Sequence, residues 1–314
     1  MGTHSNEDSL KKFLSDLDGN GNEKDSNKKD AFESNIKSDS QTRASDLQFF
    51  NFDAKEFPLG SFYPEGTLIM IRPATVKEIQ AYSMVDDSNF YDIVEKMNDM
   101  LSSCVRLKIQ GEMKSYLELK DGDRFYAVFL IRELTFQKGN ELAVKEKCEC
   151  GKDLQISFRR GHFKFHEMDN KIKPFFDSHS KTFKFETKDN LTYEMAPPNI
   201  GIQKSFTDYI VSEFKEEKKP NMSFLKVIPF TLPHQNRITK EGINKKLNDY
   251  QNPDNVSIDA FQFLNSAVEK MKFGIEELVG KCECGLEVHT KFRFPGGASA
   301  IFVNADGFDK FIKS

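Results

Sequence analysis

The 314-residue chain carries 45 Lys and Arg against 49 Asp and Glu, a formal net charge of -4, with 38% hydrophobic and 30% charged residues. That length allows two domains and a tail, and the slightly acidic balance offers no whole-chain attraction for nucleic acid. The longest apolar run, AVFLI at 127–131, is far short of a membrane span, and MGTHSNEDSLKK has no apolar signal region, so the expectation is a protein neither secreted nor membrane-embedded. With 30 Phe and no Trp, phenylalanine must fill much of the core. Five cysteines are too few for a disulfide scaffold in a chain this long.

Residues 1–46 form a polar block of Ser, Asn, Asp, Lys and Gly, unable to bury enough apolar area to offset its ordering, and are expected to be a disordered arm. Within it Leu10, Phe13, Leu14 and Leu17 stand at helical spacing, either a nascent turn in a solvated tail or a face that docks on a partner. Order is expected from about Phe57, where FPLGSFYPEG supplies turn chemistry and TLIMIRP reads as a buried strand closed by Pro73. Thr75 and Glu78 have capping-box spacing ahead of a helix through VKEIQAYSMV. A second helix, Phe90 to Val105, gathers Phe90, Ile93, Val94, Met97, Met100, Leu101 and Cys104 on one face, which makes Cys104 a core residue rather than a nucleophile. After a loop, Asp121 is expected to cap a third helix, DGDRFYAVFLIREL. ELAVKEK and DLQISF then alternate as strands around Lys147-Cys148-Glu149-Cys150-Gly151.

The same order of events recurs. KTFKFETKDNLTYEMAPPN reads as strand, turn and strand ending at Pro197 and Pro198, and Asn199 stands where Thr75 stood. The helix SIDAFQFLNSAVEKM takes the place of DGDRFYAVFLIREL, and Lys281-Cys282-Glu283-Cys284-Gly285 repeats the earlier pentapeptide letter for letter. The pattern predicts an α+β fold built from a duplicated domain. Each copy is a strand–Pro–helix bundle ending in a cysteine-bearing β-hairpin, with the first repeat over 47–165 and the second over 166–314.

A CxC turn brings two sulfurs together, and the following Gly permits the left-handed backbone of a knuckle. Two thiolates hold a metal weakly, because structural zinc takes four ligands. The hairpins could share one structural zinc through Cys148, Cys150, Cys282 and Cys284. Alternatively, each could recruit a histidine (His162 or His166 in the first half, His289 in the second), or the thiols could stay metal-free, reduced or disulfide-linked. No phosphate loop, HExxH or GxSxG is present, and no catalytic constellation emerges, so no catalytic residue is assigned. The stretch SFRRGHFKFHE fits a strand with an exposed polar face better than a nucleic-acid stripe.

The segment FPLGSFYPEGTLIMIRPATVKEIQAYSMVDD, with Gly60, Tyr63-Pro64, Arg72-Pro73, Thr75 and Glu78, resembles the baseplate hub protein family of T-even-type contractile-tailed bacteriophages. So do the DGDRFYAVFLIREL helix, KCECG and FGIEELVGKCECGLEV, and the likeness covers about residues 57–295. It implies a non-enzymatic structural and assembly protein, made in the host cytoplasm and built into the virion's tail baseplate. Its partners would be other tail proteins or further copies of itself, with no membrane and no nucleic acid. The alternative is a zinc-ribbon nucleic-acid-binding module, which would need a basic face.

Overall fold

The structure, a computed structural model, describes residues 48–136, 142–186, 192–271, 273–291 and 297–302. The arm with Leu10, Phe13, Leu14 and Leu17 lies outside the described residues. Among those described, the fold is mixed α+β, with seven α-helices and four small antiparallel sheets.

The first sheet runs in the order β1 (Phe50–Asp53), β2 (Leu68–Ile71), β3 (Val105–Ile109), β4 (Glu112–Ser115). Two of these features correct the sequence reading. Order begins upstream of Phe57, because Phe50 pairs with Ile71 and Asp53 with Leu68 while Phe52 turns into the core. The expected loop after the second helix starts as a hairpin instead. Gln110 and Gly111 both adopt left-handed φ (+51° and +87°), the two-residue turn whose twist matches its flanking strands.

The strand–Pro–helix step follows from local chemistry. Arg72 grips Glu78 through two hydrogen bonds (Nη2 to Oε1 2.7 Å, Nη1 to Oε2 3.1 Å). Glu78 also accepts from the Thr75 N–H at 2.8 Å, while Thr75 Oγ1 accepts from the Glu78 N–H at 3.3 Å. This capping box starts α1 (Val76–Tyr82) and leads to α2 (Phe90–Cys104). Burial would raise the Glu78 carboxyl, but the Arg72 guanidinium and the Thr75 N–H hold it down at about 2.

Asp121 does not cap the next helix. It opens a short 3-10 turn, Asp121–Asp123, and its carboxylate takes Arg124 at 2.5 Å, so α3 (Arg124–Thr135) begins without a side-chain cap. Most of α3 is buried, as its apolar run implies.

Beyond α3 lie the hairpin β5 (Ala143–Lys147) and β6 (Asp153–Ser157), then β7 (Phe163–Phe165), β8 (Phe176–Asp177), β9 (Thr182–Glu186) and β10 (Thr192–Met195). Asn199 caps α4 (Ile200–Lys215) by accepting from the Ile202 N–H at 2.9 Å. Next come α5 (Met222–Val227), α6 (Lys240–Gln251) and α7 (Ile258–Lys270), the last capped by Ser257. Then come β11 (Ile275–Lys281) and β12 (Glu287–Lys291), and β7 pairs with β11 to complete a three-stranded sheet, β12-β11-β7.

A seam joins the early and late parts of the chain. The Asp121 N–H donates to the Pro198 carbonyl at 3.0 Å and the Ile200 N–H to the Leu119 carbonyl at 2.8 Å, with Lys120 bridged to Asn199. Beneath it, Phe62 meets Phe176, Phe183 and Phe273 at centroid distances of 5.3, 5.7 and 4.9 Å. These are edge and tilted contacts of the kind aromatic rings prefer. Phe62 and Phe183 are buried, and full burial of such a side chain contributes ~1.5–3 kcal/mol, while Phe176 and Phe273 pack against them half-buried.

Candidate metal centre

The register of β5 with β6 pairs Lys147 with Asp153, and that of β11 with β12 pairs Lys281 with Glu287. Each hairpin then closes through the same knuckle. The Cys148 N–H donates to the Lys152 carbonyl at 2.9 Å and the Gly151 N–H to the Cys148 carbonyl at 2.8 Å; the Cys282 N–H and Gly285 N–H make the corresponding bonds to Leu286 and Cys282 at 2.9 and 2.8 Å. Gly151 and Gly285 have φ of +87° and +92°, a left-handed conformation that a side chain would strain.

The hairpins face one another. β6 packs on β11 and β5 on β12, and Thr290 Oγ1 donates to Glu146 Oε1 at 2.6 Å across the contact. Gly280 makes the approach possible: a Cβ there would lie 2.7 Å from Ile156 Cγ1. A glycine inside a strand two residues before Cys282 was a readable sign of close backbone approach, although the sequence reading did not use it. At the tips, Lys152 pairs with Glu283 at 3.0 Å.

Cys148 Sγ stands 3.6 Å from Cys284 Sγ and Cys150 Sγ 3.8 Å from Cys282 Sγ. The first cysteine of each knuckle thus meets the second of the other, the crossed pairing of a two-fold contact. All four sulfurs lie within 4.8 Å of one another, Cys148 and Cys282 buried, Cys150 and Cys284 exposed. A tetrahedron of ~2.3 Å metal–sulfur bonds has edges of about 3.8 Å, so the crossed pairs sit close to the spacing a four-thiolate centre requires. These four cysteines could hold a metal ion. The backbone N–H of Lys152, with hydrogen bonds from the neighbouring thiols, pulls the Cys150 thiol down to about 7. Against the Cys150 N–H, burial and hydrogen bonds with the other thiols push the Cys148 thiol up to about 12, so a bound cation would have to displace protons from the set.

The candidate histidines lie elsewhere. His162 Nδ1 contacts the Ser157 carbonyl at 2.7 Å, His166 faces Glu276 at 4.0 Å, and His289 lies 3.0 Å from Glu277, so none joins a metal-ligating group among the described residues. Cys104 is fully buried beside Met100, and burial pushes its thiol up to about 12, as befits a core residue. In SFRRGHFKFHE, Ser157 ends β6 and Phe163–Phe165 forms β7, with a 3-10 turn at Arg160–His162 between them. Its cations are engaged: Arg160 stacks over Phe52 and pairs with Glu133, and Lys164 pairs with Glu276 and Glu277.

A constellation that the sequence reading missed lies at the start of α3. The fully buried Asp123 accepts from the Tyr63 hydroxyl at 2.6 Å and the Leu59 N–H at 2.9 Å, and Tyr63 in turn accepts from the Lys120 N–H at 2.8 Å. Burial raises the Asp123 carboxyl to about 7 against these donors. These groups connect distant segments of the chain, the Leu59–Tyr63 turn and the Lys120–Asp123 stretch.

No protein-family model, no curated protein and no solved structure matches this chain.

Proposed function

We propose that the chain is a non-enzymatic structural component of a contractile-tail baseplate, a duplicated scaffold whose two cysteine hairpins are stapled by one structural zinc ion at Cys148, Cys150, Cys282 and Cys284. The observation that carries the staple is the crossed sulfur pairing at 3.6 and 3.8 Å between two knuckles with the same hydrogen bonds. Four thiolates would fill a tetrahedral ion's coordination sphere, leaving no position for water or substrate, so the ion's role would be to join the hairpins. Its binding energy would become folding energy, fixing the angle between surfaces that neighbouring tail proteins must meet.

The baseplate reading rests on the resemblance in the opening segment, and the use of those residues supports a scaffold. Tyr63 holds Asp123, Arg72 holds Glu78, Thr75 closes the capping box, and Gly60 lets the chain pass close to the Ala54 carbonyl. Every one of them maintains the fold. The knuckle tips carry lysine and glutamate together, including the Lys152–Glu283 pair, and lack the basic face a nucleic-acid-binding zinc ribbon needs.

Two measurements test this. Elemental analysis with thiol titration should find about one zinc per chain and four thiols exposed together in chelator; freely titrating cysteines without metal would remove the staple. Antibody labelling of contractile tails by electron microscopy should mark the baseplate end. Labelling of no tail structure would overturn the baseplate assignment while leaving the staple intact.

A further inference from the structure

A cavity of about 400 Å³ opens at the seam where Lys120 bridges Asn199. Its walls carry Lys114, Lys120, Lys181, His179 and His234 against one carboxylate, Glu118, which accepts a hydrogen bond from Asn236 at 2.6 Å. Lys114 is answered by Glu112 and His234 by Glu194. Lys120 and Lys181 are not: neither forms an ion pair among the described residues. Lys120 Nζ donates one hydrogen bond, to the Pro197 carbonyl at 3.2 Å, and has two further N–H groups to give. Asp123 and Glu118 reach it only at longer range, and burial draws its ammonium down to about 8.

The backbone at Lys181 is a second, independent observation. Its φ is +60°, a left-handed conformation that glycine or asparagine adopts with least strain. The turn that holds it is firmly made: the Asp177 carboxylate accepts from the His179 N–H at 2.8 Å, and the Asp177 carbonyl accepts from the Lys181 N–H at 2.8 Å. Gln110, whose φ of +51° belongs to the β3–β4 turn, lines the same cavity. A long polar side chain at a position suited to glycine or asparagine, as at Lys181, is the kind of local strain that collects at binding sites.

We propose that this seam cavity binds a phosphate group, whether of inorganic phosphate or of a small organic phosphate. Ammonium groups act as point charges that satisfy a tetrahedral anion from several directions. The volume falls at the small end of ligand pockets, with Phe62, Pro64 and Pro233 as an apolar wall for whatever the phosphate carries. Lys120 stands on the early side of the seam and Lys181 and His179 on the late side, so the anion would tie the two together. The proposal is independent of the metal centre and of the baseplate reading.

The test is calorimetric titration of the full chain with inorganic phosphate, phenyl phosphate and glutarate. Saturable phosphate binding is expected at one site per chain, weakened about tenfold or more in Lys181→Asn and in Lys120→Met, since each loses a charged hydrogen-bond donor. Lys181→Asn keeps a residue tolerant of left-handed φ, so its circular dichroism should match the parent and a loss of affinity cannot be misfolding. Arg237→Gln, a charge removed outside the cavity, should leave affinity within about twofold. Tighter binding of phenyl phosphate would assign an organic phosphate, and equal binding inorganic phosphate. The absence of saturable phosphate binding, undiminished binding by Lys181→Asn, or glutarate binding as tightly as phosphate would overturn the proposal.

Discussion

The Tyr63 hydroxyl donates to Asp123 Oδ2 at 2.6 Å, tying the opening turn of the fold to the start of its most buried helix. The other Asp123 oxygen accepts from the Leu59 N–H, so one carboxylate holds both ends of the Leu59–Tyr63 turn. Asp123→Ala would leave two buried donors without an acceptor and is expected to cost about 2–4 kcal/mol in urea unfolding. Tyr63→Phe, which removes one donor and keeps the ring, should cost about 1–2 kcal/mol. Equal stability of Asp123→Ala and the parent would show that the carboxylate does not hold this turn.

Asp123 also sets a pH dependence. Burial raises its folded-state carboxyl to about 7, above the ordinary value of 3.8. In that interval the folded chain binds a proton that the unfolded chain has released, so the group's stabilisation is complete below about pH 4 and fades as pH rises through about 7. The stability difference between the parent and Asp123→Asn should therefore shift against the parent across this window, by up to about 1.4 kcal/mol per pH unit, and level off above it. A difference independent of pH from 4 to 8 would contradict it.

Arg72 and Glu78 hold the strand–Pro–helix step through a two-pronged contact with little solvent exposure. Arg72→Lys preserves the charge but not the planar fork, and it should lower stability by about 1–2 kcal/mol. Restoration of full stability by lysine would mean that charge alone matters here.

Gly280 governs the approach of the two hairpins. A side chain there would meet Ile156 and Leu154. Gly280→Val suits a strand in isolation but should push the knuckles apart, so chelator should strip metal faster from it than from the parent, by about tenfold or more. Unchanged metal retention would show that the sulfurs keep their spacing without this close contact.

Local chemistry made much of the chain legible. Thr75 and Asn199 each cap the helix the sequence places after them, because a capping side chain needs only its next three residues. The CxCG turns were visible for the same reason, with glycine marking the left-handed position in both. Asp121 was misread because a cap and an ion pair look alike in sequence; only the fold turns Asp123 inward and gives Asp121 to Arg124. β1 and the β3–β4 hairpin were missed because short strands gain stability from partners, and Phe50 acquires its partner only when Ile71 arrives beside it. The four cysteines could be named in advance, but sequence could not choose among a shared centre, histidine ligands and free thiols. Cys148 and Cys284 lie 136 positions apart and meet at 3.6 Å because the hairpins stack at Gly280; the strand glycine signals a close approach, but only the tertiary fold supplies Ile156 as what approaches.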